Sequence, residues 1–182
     1  MMINTLQKII NKRVKRLFLI VWPPFGERDI SQIDISAGYF FEDSTNQMFV
    51  ITTDKSELTR PIVECLPMPN VTNNWIEFHQ RMQRWMDCED DMVMDIEYYE
   101  VSDSSLFKNI VNQKIVDVEL IKINNDSLVG VKLIFKNDFV LSTPLSDGNT
   151  IETKSFHRNK NLDNFLSLGR IKFVSLSKLA KN

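Results

Sequence analysis

Glycine is scarce in this chain, at 5 residues in 182. That excludes Gly-rich phosphate cradles and argues against flexible linkers. Cysteine is scarcer, at 2. Cys65 and Cys88 are too few for a disulfide scaffold and read as the reduced thiols of a cytosolic protein. Long apolar runs are missing too. Leu17–Trp22 follows Lys12, Arg13, Lys15 and Arg16 as a signal-peptide core would, but the run is six residues long and Pro23-Pro24 ends it. Nothing approaches the ~20 apolar residues of a membrane span. GxSxG, HExxH, the P-loop and the D-x-D-x-D-G calcium loop are all absent. The expectation is a soluble cytoplasmic protein that is not an enzyme, with no catalytic residues, no cofactor and no metal.

An overall basic excess is also lacking, since the net charge is −2. The signs are nevertheless sorted along the chain. Residues 1–26 hold five basic residues and no acidic one, residues 27–103 hold seventeen acidic against five basic, and residues 154–182 hold seven basic against one acidic. Either the ends neutralise the middle, or the fold displays faces of one sign that steer a charged partner.

What is present begins with a repeated phrase. IINKRVKRLFLI at 9–20 returns as IVNQKIVDVELI at 110–121. Setting Asn11 on Asn112 aligns Ile9 with Ile110, Val14 with Ile115, Leu17 with Val118 and Leu19 with Leu120. Phe41 then falls on Phe135 and Phe49–Thr53 on Phe139–Thr143, while Gly38 and Gly130 lie two positions out of register. Each copy reads as three strands. Val116, Val118 and Leu120 alternate with Asp117 and Glu119, as in a strand with one wet face. The first copy carries Phe18 where the second has Glu119, so its opening strand is apolar on both faces and reads as central or twice covered. A strand triplet cannot bury its apolar face alone, and a second copy supplies the cover.

Between the copies, residues 74–88 read as one long amphipathic helix capped by Asn74. Trp75, Phe78, His79, Met82, Trp85 and Met86 form its apolar stripe, which packs inward on the sheet or, less commonly, offers a groove to a partner. His79 then reads as a half-buried core histidine. His157 lies in a polar loop, and no pair among Cys65, Cys88, His79 and His157 has metal-ligand spacing.

The sequence from Asp87 to Asp103 contains eight acidic residues and no basic one. Met92–Val101 alternates like a strand whose polar side displays Asp95 and Glu97. Its simplest role is a solvated face balancing the basic ends. Its sharper role is a docking surface of Asp87, Glu89, Asp90, Asp91, Asp95, Glu97, Tyr98, Tyr99 and Glu100, in which carboxylates receive Arg and Lys and tyrosines supply rigid contact area. Two alternatives remain. The carboxylates could hold a divalent metal for catalysis. Lys154, Arg158, Lys160, Arg170, Lys172, Lys178 and Lys181, interleaved with Phe156, Phe165 and Phe173, could instead bind nucleic acid, which the net charge disfavours.

These readings combine into one compact α+β domain over 1–182. Its antiparallel sheet comes from two duplicated three-strand units, at about 5–65 and 105–156. A long helix and acidic strand lie between them at 72–103, and a C-terminal helix and strand follow at 162–176. In general character the chain resembles the cytoplasmic immunity proteins that neutralise bacterial toxins, which are small, acidic, motif-free and non-enzymatic. The likeness rests on no shared motif and assigns no role to any residue. It implies a protein partner, a toxin domain with a basic surface, and no membrane. Exposed strand edges leave a homodimer open.

Overall fold

The computed structural model describes residues 2–22, 33–54, 60–87, 96–124, 127–145, 148–156 and 160–179. Helix α1 (Met2–Lys8) leads into a meander of β1 (Val14–Trp22), β2 (Asp34–Phe41), β3 (Gln47–Thr53) and β4 (Pro61–Pro67). A two-residue strand β5 (Asn73–Asn74), helix α2 (Phe78–Met86) and β6 (Glu97–Glu100) follow. A second meander runs through β7 (Asp117–Ile123), β8 (Ser127–Ile134), β9 (Phe139–Leu145) and β10 (Gly148–Glu152). Helix α3 (Asn161–Leu166), β11 (Ile171–Ser175) and α4 (Leu176–Leu179) end the described chain. The first sheet is ordered β4-β3-β2-β1-β6-β5, and the second β10-β9-β8-β7-β11.

This corrects the expected α+β class with a long helix. Strand takes 49% and helix 20%, so the protein is mostly β, and the described residues form two sheets and only short helices. The residues expected to open the long helix do something else. Trp75–Glu77 form a single 3-10 turn, and Asn74 caps it as expected, accepting the Ile76 N–H at 3.0 Å, but also pairs with β6 alongside Asn73. Helix α2 starts only at Phe78 and spans nine residues. Each meander also has four strands rather than three. Pro61 and Pro67 bracket β4 and its exposed Glu64 and Cys65 blur the alternation, which hid it in the sequence.

The two halves share one hydrogen-bond plan. Asn11 and Asn112 both take a left-handed backbone, at φ 71° and 62°. The Asn11 N–H donates to the Ile115 carbonyl at 2.8 Å, and the Asn112 N–H donates to the Val14 carbonyl at 2.7 Å. Val14 N–H to Gln113 and Ile115 N–H to Lys12, both at 3.0 Å, repeat the exchange. Each bond maps onto its mate when the halves are swapped at the offset of Asn11 to Asn112. The two copies of the phrase therefore join each other around the Arg13–Lys114 bridge, on a local pseudo-twofold axis.

The plan extends beyond the meanders. Phe18, Leu19, Ile20 and Val21 oppose Glu100, Tyr99, Tyr98 and Glu97, while Glu119, Leu120, Ile121 and Lys122 oppose Ser175, Val174, Phe173 and Lys172. Strands β6 and β11 are thus equivalent, each flanking the first strand of its meander. The alignment of Phe49 with Phe139 is one residue off. Tyr39 faces Phe49 while its counterpart Leu133 faces Val140. A one-residue slip reverses faces. Phe49 accordingly lies in the core, whereas Phe139 is half-buried on the outer face.

The inner faces of both sheets merge in one core that includes Leu17, Leu19, Tyr39, Val118, Leu120 and Leu133. Outside each sheet lies a smaller cluster, Phe18 with Met48 and Val50 on the first and Ile121 with Leu141 on the second, the latter packed against Leu162 and Phe165 of α3. Phe18, with no exposed surface, answers the reading of β1 as central and covered on both sides.

A prediction follows from the paired asparagines. Glycine adopts a left-handed backbone freely and alanine does not. Asn112→Gly should leave thermal stability unchanged or slightly raised, and Asn112→Ala should lower it by about 1 kcal/mol. Equal melting temperatures for the two variants would contradict the left-handed turn.

Candidate functional site

Two regions bear on function: the acidic segment around β6, and the outer face of the second sheet with its β11 edge. Of the acidic set, Glu89, Asp90, Asp91 and Asp95 lie outside the described residues, as do Cys88, His157, Arg158 and Lys181. The remaining five are placed as follows. Asp87 is exposed at the end of α2 and accepts from Gln83 Nε2 at 3.0 and 2.9 Å. No described cation neutralises it.

The acidic residues of β6 are engaged inside the fold. The Glu97 carboxylate receives the Arg81 guanidinium, with Nε at 3.1 Å, and also the Tyr99 hydroxyl. Its side chain is only 11% exposed. Glu97 and buried Tyr99 share the inner face, and half-buried Tyr98 packs outward on the Phe18 cluster. The strand phase is therefore opposite to a wet face displaying Glu97. Burial, reinforced by the neighbouring Glu97, raises the Tyr99 phenol above its ordinary value. Glu100 takes a bidentate fork from Arg16, Nε at 2.8 Å and Nη2 at 2.7 Å, and a third bond from Ser102 Oγ at 3.1 Å. The Arg16 guanidinium holds the Glu100 carboxyl below its usual value, outweighing burial.

The N-terminal basic block is neutralised in the same way. Lys12 meets Asp43 at 2.7 Å, and Arg13 and Lys15 reach Glu42 at 3.5 and 3.8 Å. Such exposed pairs contribute little to stability, ~0–1 kcal/mol each, but they do cancel the local field. The C-terminal basic residues differ. Arg170, Lys172 and Lys178 are exposed, and no described acidic side chain pairs with them.

On the second sheet, a shallow groove of about 370 Å³ runs across the outer face, lined by Lys132, Phe139, Leu141, Glu152, Lys160 and Phe173 among others. The Lys132 ammonium lies over two rings, 4.7 Å from the centroid of Phe139 and 5.4 Å from that of Phe173, and 3.9 Å from Glu119. Beside it, Phe173 is 43% exposed, and Leu166 and Leu168 of the α3 region are 59% and 67% exposed.

Placement also bears on the other expectations. His79 is exposed, not half-buried, because α2 turns Phe78 and Met82 inward and leaves His79 against the Trp75 ring at 6.0 Å. Cys65 is exposed on β4. Among the described residues, no three His, Cys, Asp or Glu side chains gather closely enough to hold a metal ion. Of the three phenylalanines offered for base stacking, Phe156 is buried against Phe107 and Trp75, Phe165 packs from α3 onto the Ile121 cluster, and only Phe173 is exposed. No described helix is long and apolar enough to cross a membrane. No protein-family model, no curated protein and no solved structure matches this chain.

The carboxylates that join elements imply an acid-sensitive fold. Burial alone would raise Asp117, but bonds from the Ser175 hydroxyl and the Ser177 and Val118 N–H groups more than offset it and hold the carboxyl low. Asp117 and Glu100 both have depressed folded-state values. Their stabilisation is therefore full above the ordinary carboxylate range, and is lost as pH falls through the depressed folded values. The melting temperature should fall on that acid limb, and less steeply in Glu100→Gln. Identical acid limbs for the wild type and that variant would contradict the Arg16–Glu100 link.

Proposed function

We propose that this protein is a non-catalytic protein-binding module, a cytoplasmic immunity protein that covers the basic surface of a bacterial toxin through its acidic segment. The supporting observation is how the charge is distributed. Lys12, Arg13, Lys15 and Arg16 are matched by Glu42, Asp43 and Glu100, whereas Asp87 is exposed with no described counter-charge at the start of the most acidic stretch of the chain. A local excess of acidic charge raises the encounter rate with a cationic partner and disfavours anionic ones.

In this reading Asp87, Glu89, Asp90, Asp91 and Asp95 carry the docking, whereas Glu97, Tyr99 and Glu100, bonded within the fold, hold β6 in place. Reversing Asp87, Asp90, Asp91 and Asp95 to Lys should leave the protein folded. It should slow association with the cognate partner about tenfold and flatten its salt dependence. Glu97→Lys should instead lower stability, by setting a second cation against Arg81 in a nearly closed site. An unchanged association rate in the quadruple variant would remove the acidic-segment reading.

A further inference from the structure

The equivalence of β6 and β11 exposes a difference between the two sheets. In an antiparallel ladder, alternate residues turn their backbone N–H and C=O toward the neighbouring strand. The Val101 N–H donates to the Leu17 carbonyl at 2.9 Å, so residues 97, 99 and 101 face β1, and Tyr98 and Glu100 turn their backbone groups outward. Strand β5 lies on that side, parallel, with Asn73 opposite Tyr99. In the second sheet the Asn124 N–H donates to the Arg170 carbonyl at 3.0 Å, so residues 170, 172 and 174 face β7. Ile171, Phe173 and Ser175 turn their backbone groups outward. There, among the described residues, no strand takes the place that β5 fills in the first sheet.

We propose that the outer edge of β11 is a strand-addition site for an extended acidic segment of a partner protein, which lies parallel to β11 where β5 lies on β6. The edge is short and carries its own specificity elements. The partner's central residue would sit opposite Val174, bonding the Phe173 carbonyl and the Ser175 N–H, as Asn73 sits opposite Tyr99. Side chains alternate across such a strand. One set meets exposed Phe173 and the Lys132 ammonium over its ring, and the other meets exposed Lys172.

Charge identifies the occupant. Arg170, Lys172 and Lys178 have no described acidic partner, and Lys122 lies directly across from Lys172. A second copy docking edge to edge would bring two such clusters together, whereas an acidic strand neutralises one. The site uses different residues from the acidic segment and is independent of the toxin-covering reading.

The test is hydrogen exchange on the full chain with a short peptide alternating glutamate and valine, beside its lysine–valine counterpart. The glutamate peptide should slow exchange at the Phe173 and Ser175 amides, and the lysine peptide should not. Phe173→Pro removes an outward N–H without breaking the ladder to β7, and should weaken binding about tenfold beyond Phe173→Ala. Should the proline variant misfold, Arg170→Glu with Lys172→Glu provides a second test, by reversing the preference to the lysine peptide. Three results would overturn the proposal: no protection of these amides by the glutamate peptide, equal protection by both peptides, or a homodimer in ultracentrifugation that Phe173→Pro dissociates.

Discussion

Replacing Asn149 with alanine is expected to lower stability by about 4 kcal/mol, the combined effect of several stranded buried groups. Asn149 sits in β10 at 1% exposure, where the second sheet packs on the first. Its side-chain nitrogen donates to the Ile35 carbonyl of β2 at 2.9 Å. Its oxygen accepts the hydroxyls of Thr53 in β3 at 3.1 Å and Ser142 in β9 at 2.9 Å. Its backbone N–H reaches Asp34 Oδ1 at 3.1 Å. One side chain thus ties β2 and β3 of the first sheet to β9 and β10 of the second.

Alanine would leave the Ile35 carbonyl and both hydroxyls without a partner in a site closed to water, at about 1–3 kcal/mol for each group that cannot find another. For a protein of this size the loss corresponds to a fall in melting temperature of about 8–16 °C. Chemical denaturation of Asn149→Ala beside Thr53→Val would check it. The valine variant removes one donor and leaves Asn149 Oδ1 still bonded to Ser142, so it should cost less. A drop below about 1 kcal/mol for Asn149→Ala would mean that the sheets are not held by this residue.

The second large effect concerns α2. Phe78→Ala should cost about 3–5 kcal/mol, and His79→Ala, one residue along, less than about 0.5. Phe78 is fully buried, stacked on Trp75 at 4.7 Å and set edge-on to Tyr99 at 5.3 Å. Its removal opens a cavity between α2, β6 and the core, and loosens the strand that bears Glu97 and Glu100. His79 touches the same aromatic group only from the solvent side. Urea titrations of the two variants distinguish this arrangement from the continuous helical stripe, which would make both positions costly. Comparable losses at the two positions would rule out the observed helix phase.

Local patterning determined much of this. The repeated phrase, the asparagines that begin each copy, the central placement of β1 and the short helix and strand after residue 160 all follow from apolar period and turn chemistry. Those signals act over a few residues, so they survive in any context. The Asn74 cap was legible for the same reason, because its oxygen meets an N–H two residues away.

Long-range pairing decided the rest. The same Asn73-Asn74 pair that precedes a helical pattern becomes a strand because β6 presents open backbone groups to it, and that shortens the helix behind it. Glu97 and Glu100 look like surface charge until β6 is set beside β1 and α2, which brings Arg16 and Arg81 onto them. Phe139 aligns with Phe49 by letter, yet the ladder offsets them by one residue and sends them to opposite faces. The edge of β11 that no described strand pairs with has no sequence signal, since an edge is defined by the strand that does not pair with it. Periodicity reports which side of an element is apolar, and only the assembled sheets determine which charges meet and which edges stay open.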